Sequence, residues 1–179
     1  MAVPRRQHFL PQFYLRGFSL DRKTVGVLRL TDDTIVANAS IRDQCQRTNL
    51  YGADGTLEAL LADMEGRTAP ILAAIQRTCC LPEWGAPEHL ELCVYVAAQN
   101  GRTRAQADAF QATVAELARE VMRIHPDFAE EDPGALPTVA VTPAVQIPLE
   151  TAWESSFFIW DLKPLLLKNE TNRAFITSD

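Results

Sequence analysis

The run Thr56-Leu57-Glu58-Ala59-Leu60-Leu61-Ala62-Asp63-Met64-Glu65-Gly66-Arg67-Thr68-Ala69-Pro70-Ile71-Leu72-Ala73-Ala74-Ile75-Gln76-Arg77 sets the architecture. Leu57, Leu60, Leu61, Met64, Ile71, Leu72 and Ile75 recur at intervals that a 3.6-residue repeat gathers on one face, so the spacing predicts a helix over 57–77. Thr56 is its expected N-cap. An apolar stripe of this kind must be covered by other elements, and the chain downstream offers them. Pro82 and Pro87 mark a break, and 87–100, rich in Leu, Val and Ala, reads as a second helix buried on most sides. Gly101 is placed to interrupt it, and 103–124 continues as an amphipathic helix through Ala109, Thr113, Leu117, Val121 and Ile124. Residues 125–142, with three prolines and an acidic run, read as a long loop. Pro143 then stands at an N1-like position after Thr142 and opens a helix to about Phe158.

Upstream of the central helix, residues 8–18 predict a short helix or turn begun near Pro11, with Phe13, Tyr14, Leu15 and Phe18 on a core-seeking side. Val25–Leu30 and Thr34–Ala37 flank Thr31-Asp32-Asp33 as a small hairpin. Ile41–Arg47 reads as a short helix capped by Ser40, and Ala53-Asp54-Gly55 as a turn. At the other end Leu162–Lys168, 169–172 and Ala174–Thr177 read as strand, turn and strand. The expected class is α+β, mainly α-helical, with a helical core and a small antiparallel sheet built from the N-terminal hairpin and the C-terminal strands.

Composition agrees with a packed chain. At 179 residues and 47% hydrophobic content, one domain over 1–179 buries roughly two-thirds of its unfolded surface. That content excludes a disordered chain, and four cysteines exclude a disulfide miniprotein. Cys45, Cys79, Cys80 and Cys93 form no C-x-x-C and have no matching His pair, which favours reduced, structural thiols over a zinc site. The start has two arginines but no apolar stretch behind them, and no window resembles a membrane span, so a cytoplasmic location is expected. The net charge of −6 argues against broad phosphate-driven nucleic-acid binding, and the basic cluster Arg5, Arg6, Arg16, Arg22 and Lys23 is short. No nucleotide loop, dinucleotide fingerprint, nucleophile elbow or zincin motif occurs.

The informative residues are polar groups set among apolar ones. Gln99 and Arg102, three apart, share a helix face that begins in the apolar segment Leu92–Ala98. A guanidinium there needs a partner. It serves either as an anion clamp with Gln99 orienting a ligand, or as an internal ion pair with Glu58 or Glu65. Those two glutamates lie two turns, about 10.5 Å, apart on one helical stripe. Ala62, Gly66 and Ala69 beside them leave room for another segment or a ligand, unless the stripe simply faces water. His8, in an aromatic run with Gln12, Tyr14 and Arg16, suits acid/base or metal-ligand work and equally a structural role. His89 and His125 lack supporting neighbours. Thr177-Ser178-Asp179 ends a strand-like run on a hydroxyl and a carboxylate, as a fixed polar site or a local turn.

Taken in order, these segments resemble a known family. Gln7-His8-Phe9-Leu10-Pro11-Gln12-Phe13-Tyr14-Leu15-Arg16-Gly17-Phe18 resembles the opening His-x-x-Pro-x-x-Tyr-Leu-x-x-Phe signature of the bacterial family catalogued as domain of unknown function 4238. Asn49-Leu50-Tyr51-Gly52 is similar to its aromatic motif, and Leu57-Glu58, Glu65 and Ala69-Pro70-Ile71-Leu72 to its acidic helix. Ala97-Ala98-Gln99-Asn100-Gly101-Arg102-Thr103 resembles its Gln-x-x-Arg-Thr helix, and Phe175-Ile176-Thr177-Ser178-Asp179 its late motif. Relatives run on past Ser-Asp, so a chain truncated at its C-terminus relative to the family is expected; they often carry two histidines where this chain has Gln7-His8. The resemblance implies a shared polar centre drawn from His8, Gln12, Tyr14, Glu65, Gln99, Arg102, Ser178 and Asp179, and implies no reaction.

The expected function is a hydrolase-like pocket for a phosphate-containing or other anionic small substrate. His8 would act as general acid/base or metal ligand, with Asp179 as its carboxylate partner and Glu65 at the same centre. Gln12, Tyr14, Gln99, Arg102 and Ser178 would bind the ligand. A divalent metal is compatible with these groups, though the sequence sets no ligand count for one. The alternative is a non-enzymatic binding or interaction module in which the same residues form a structural network, with the 126–142 loop as the contact element.

Overall fold

A computed structural model of the chain describes residues 5–124, 141–173 and 175–177. The element order is β1 (Arg6–His8), α1 (Gln12–Leu15), β2 (Thr24–Arg29), β3 (Thr34–Ser40), β4 (Gln46–Thr48), α2 (Thr56–Thr78), α3 (Pro87–Gly101), α4 (Arg104–Ile124), α5 (Val141–Glu154) and α6 (Phe157–Trp160), with 3₁₀ turns at Arg16–Phe18 and Ile41–Asp43. The class is therefore α+β and mainly helical, as expected.

The central helix α2 buries Leu61, Met64 and Thr68 one below another, while Leu60 faces outward. Its start differs from expectation. Gly55 is the N-cap in the left-handed conformation (φ 77°), and Thr56 is already inside the helix. Asp54 steadies the turn by accepting from the Thr56 amide at 3.3 Å and the Thr56 hydroxyl at 3.2 Å. Pro70 lies inside α2, where it withholds one amide from the helical ladder. Helix α3 begins with Pro87 at its first turn and buries His89, Cys93, Tyr95, Ala98 and Gly101. That broad face is what its composition predicted, because α3 packs against α2, α4, α5 and α6. The main core joins Leu50 and Tyr51, from the loop after β4, to Leu61, Met64, Tyr95, Ala98 and Leu149.

The sheets are smaller and more local than expected. The β2–β3 hairpin pairs Val25 with Ala39 and Leu28 with Ile35, with an irregularity between Val25 and Val27. It covers a second, minor core of Leu15, Val25 and Ile41. Strand β1 pairs antiparallel with β4, His8 opposite Gln46, so the helix expected across Ile41–Arg47 divides into a 3₁₀ turn and a strand. Ser40 gives no side-chain cap there. The C-terminal strands do not form among the described residues: both sheets belong to the first third of the chain, and the backbone over 163–170 carries no ladder. Pro164 withholds an amide, and Leu165 and Leu167 stand exposed. The turn at 169–172 is present, held by the Asn169 side chain, which accepts from the Thr171 amide at 3.0 Å. The loop expected at 125–142 falls almost wholly outside the described residues, and its last two positions belong to α5. None of the four cysteines forms a disulfide. No helix of the described residues is long and apolar enough to cross a membrane.

Candidate functional site

A cleft of about 330 Å³ lies between the segment after β1 and the first half of α2. Its polar lining is His8, Gln12, Arg16, Glu58 and Glu65; Pro11, Phe13, Leu61 and Ala62 supply the apolar part. Glu58 and Glu65 reach the same cleft because seven residues return a helix to nearly the same face.

His8 is half-buried, and its Nε2 lies 3.1 Å from the Arg42 carbonyl oxygen. A carbonyl only accepts, so in the neutral ring Nε2 carries the hydrogen and Nδ1 keeps its lone pair. Burial holds the His8 pKa below the ordinary imidazole value, against the opposing pull of the Arg42 hydrogen bond and Glu65. Glu58 moves the other way: burial, then the charge of Glu65, raises its pKa above the usual carboxylate range. The cleft thus holds an imidazole biased toward its basic form beside a carboxyl biased toward its acidic form. Arg16 reaches the Gln12 side-chain oxygen from Nη2 at 3.2 Å.

Arg102 takes no place in the cleft lining. Its side chain is completely buried, and each of its three nitrogens meets an oxygen of the protein. Nε donates to the Phe9 carbonyl at 2.6 Å, and Nη2 to the His8 carbonyl at 3.3 Å. Nη1 lies 2.8 Å from Glu65 Oε1 but off the line of an aligned hydrogen bond, so that contact is an ion pair. Of the two arrangements open for Arg102, the internal pair with Glu65 is the one present. The guanidinium also sits at the C-terminal end of α3, where the helix dipole favours a cation.

The remaining candidates divide. Tyr14 turns away from the cleft, its hydroxyl 3.2 Å from that of Thr177 and its ring against Phe18. Gln99 Oε1 is buried and has no hydrogen-bond partner among the described residues; the same holds for the Tyr95 hydroxyl one turn before it, and neither lines the cleft. Among the described residues nothing lies within 4 Å of a Cβ added at Gly66, and of the small residues beside the glutamates it is Ala62 that lines the cleft. Ser178, Asp179 and His125 lie outside the described residues. His89 is buried and structural: it accepts from the Gly85 amide at 3.3 Å, and its other nitrogen lies 3.7 Å from Cys93 Sγ. Among the described residues no group of three or more His, Cys, Asp or Glu could hold a metal ion.

Two residues important to this geometry carry no motif of catalytic kind. Gln7 is wholly buried and donates to the Gly52 carbonyl at 3.1 Å, while its side-chain oxygen accepts from the Tyr51 amide at 2.6 Å. Tyr51, 2% exposed, donates its hydroxyl to the His8 carbonyl at 3.2 Å. The signal that points to them is the Asn49-Leu50-Tyr51-Gly52 segment, which has no local structural need for a buried tyrosine.

The fold and cleft define a mainly helical α+β protein with a mixed-charge pocket beside an internal ion pair. The family model described as protein of unknown function DUF4238 matches residues 6–179, and the chain belongs to that family. No curated protein and no solved structure matches it.

Proposed function

We propose that the cleft binds a small polar substrate bearing an anionic group and hydrolyses it, a water losing its proton to a base as it attacks and the leaving group taking one from an acid. The observation that supports this is the convergence of His8, Glu58, Glu65, Gln12 and Arg16 on one cavity. His8 Nδ1 would act as general base and Glu58 as acid, each drawn toward neutrality by its surroundings. Arg16 takes the anion-holding role first expected of Arg102, whose guanidinium is committed to the protein. The test is a thermal-shift and turnover screen of phosphosugars, nucleotides and chromogenic esters, with wild type compared to His8→Ala and Arg16→Ala. A bound ligand raises the melting temperature. The expected result is a shift lost in Arg16→Ala and turnover lost in His8→Ala.

A second reading, a binding module without turnover, is favoured by the commitment of Arg102 to internal partners. A ligand shift with no product in any assay would select it. Neither shift nor turnover with any compound would remove both.

A further inference from the structure

Strand β1 is only three residues long, yet one residue on its length is held from several directions. The His8 carbonyl accepts from both Tyr51 Oη, at 3.2 Å, and Arg102 Nη2, at 3.3 Å. Two donors fill the two lone pairs of that oxygen. The next carbonyl, of Phe9, receives Arg102 Nε at 2.6 Å, and the Phe9 amide donates to the Cys45 carbonyl at 2.9 Å. The preceding side chain, Gln7, is fastened at both ends of its amide to Tyr51 and Gly52. Successive residues of a strand point to opposite faces. The buried attachment of Gln7 therefore fixes which way the imidazole of His8 faces, toward the cleft.

We propose that Arg102 and Tyr51 are positioning residues: they hold the His8 carbonyl from behind, and the same guanidinium holds Glu65, so the cleft's imidazole and carboxylate keep a set separation. A guanidinium is a rigid planar fork. With Nε and Nη2 spent on the carbonyls of consecutive residues, Nη1 is left at a fixed place 2.8 Å from Glu65 Oε1, where it forms the ion pair. A lysine has one nitrogen on a flexible stem and cannot hold all three oxygens in one geometry. This assignment extends the reading of His8 as the proton-handling group and rests on it.

The charged groups facing His8 are Glu58, Glu65 and Arg16 across the cleft, with Arg102 and Arg6, and the Arg42 carbonyl on Nε2; burial is the largest influence on its protonation. Tyr51→Phe changes none of these charges and removes one hydroxyl, so it isolates position. The experiment follows the His8 imidazole of labelled protein by NMR across pH, with His8→Asn for assignment, in wild type, Tyr51→Phe and Arg102→Lys. Carbethoxylation of His8 is timed in parallel. The expected result is an upward move of the His8 titration toward the ordinary imidazole value in Tyr51→Phe, as the loosened ring gains water, with severalfold faster modification. Arg102→Lys should do both to a greater degree. If both variants unfold cooperatively and leave the titration and reactivity of His8 as in wild type, the two residues serve the fold alone and the proposal is overturned. Should Arg102→Lys fail to fold, Tyr51→Phe decides by itself. Failure of the functional reading shows elsewhere, as a wild type that binds and turns over nothing while His8 still responds to Tyr51→Phe.

Discussion

His8 and Glu58 carry opposite protonation biases in one cleft, and linkage turns that into a signature. Burial lowers the His8 pKa, so the folded state resists protonating the ring. Stability from this group is present above the ordinary imidazole pKa and is lost as pH falls through the folded value. Glu58 is raised, so its contribution is present at low pH and is lost as pH rises above the ordinary carboxylate range. Between about pH 4 and 7 the two slopes oppose each other. Glu58→Gln should leave the His8 slope, with stability falling as pH drops across that window. His8→Asn should leave the Glu58 slope, with stability falling as pH rises. Denaturant melts at three pH values check both, and parallel pH profiles for the two variants would refute the assignment. This scale was partly legible in the sequence. A guanidinium at the end of an apolar helix demands a carboxylate, and the candidates Glu58 and Glu65 were correctly limited to one stripe. The role of Gln7 was hidden, since nothing local says that a glutamine in a short strand will be buried with both ends paired.

At the scale of elements, helix packing makes a sharp prediction at two glycines. A Cβ on Gly101 would stand 2.6 Å from Ala152 Cβ, 2.8 Å from the Pro148 oxygen and 2.9 Å from Leu149 Cα, so α3 and α5 can cross this closely only without a side chain. Gly101→Ala should cost about 1–3 kcal/mol through forced displacement of α5, despite the better helix propensity of alanine. Gly66, inside α2, has nothing of the described residues within 4 Å of the same added atom. Gly66→Ala should therefore stabilise by up to about 1 kcal/mol. Chemical denaturation of both variants checks the contrast, and equal effects would mean that the α3–α5 crossing is not as close as described. The long helices were legible because their apolar periodicity and their prolines act locally. The C-terminal strands were misread for a complementary reason. A strand needs a neighbour to satisfy its backbone, and periodicity over 162–177 cannot reveal that β1 and β4 pair with each other and that β2 pairs with β3.

Across the whole molecule, one side chain joins parts that are otherwise remote in sequence. Arg102 connects α3 to the carbonyls of His8, the last residue of β1, and of Phe9 after it, 94 and 93 positions earlier, and to Glu65 on α2. The N-terminal strand pair is anchored to the main core by Phe9 after β1 and by Leu50 and Tyr51 after β4, and the guanidinium adds a polar tie to the helices. Arg102→Met preserves much of the buried volume but strips the Phe9 carbonyl of its guanidinium donor and leaves the His8 carbonyl with Tyr51 Oη alone. Glu65, with its side chain about a quarter exposed, can recover some hydration. The expected loss is about 3 kcal/mol, a large share of the roughly 5–15 kcal/mol that holds a domain together. Because the lost contacts converge on β1 and the segment after it, hydrogen exchange should accelerate first at the Phe9 and Asn49 amides, which donate to Cys45 and Arg5. Protection within α4 should fall less. Uniform loss of protection over every element would instead mean that the pair has no local part in seating the strand, and that the cleft's histidine is held by the core as a whole.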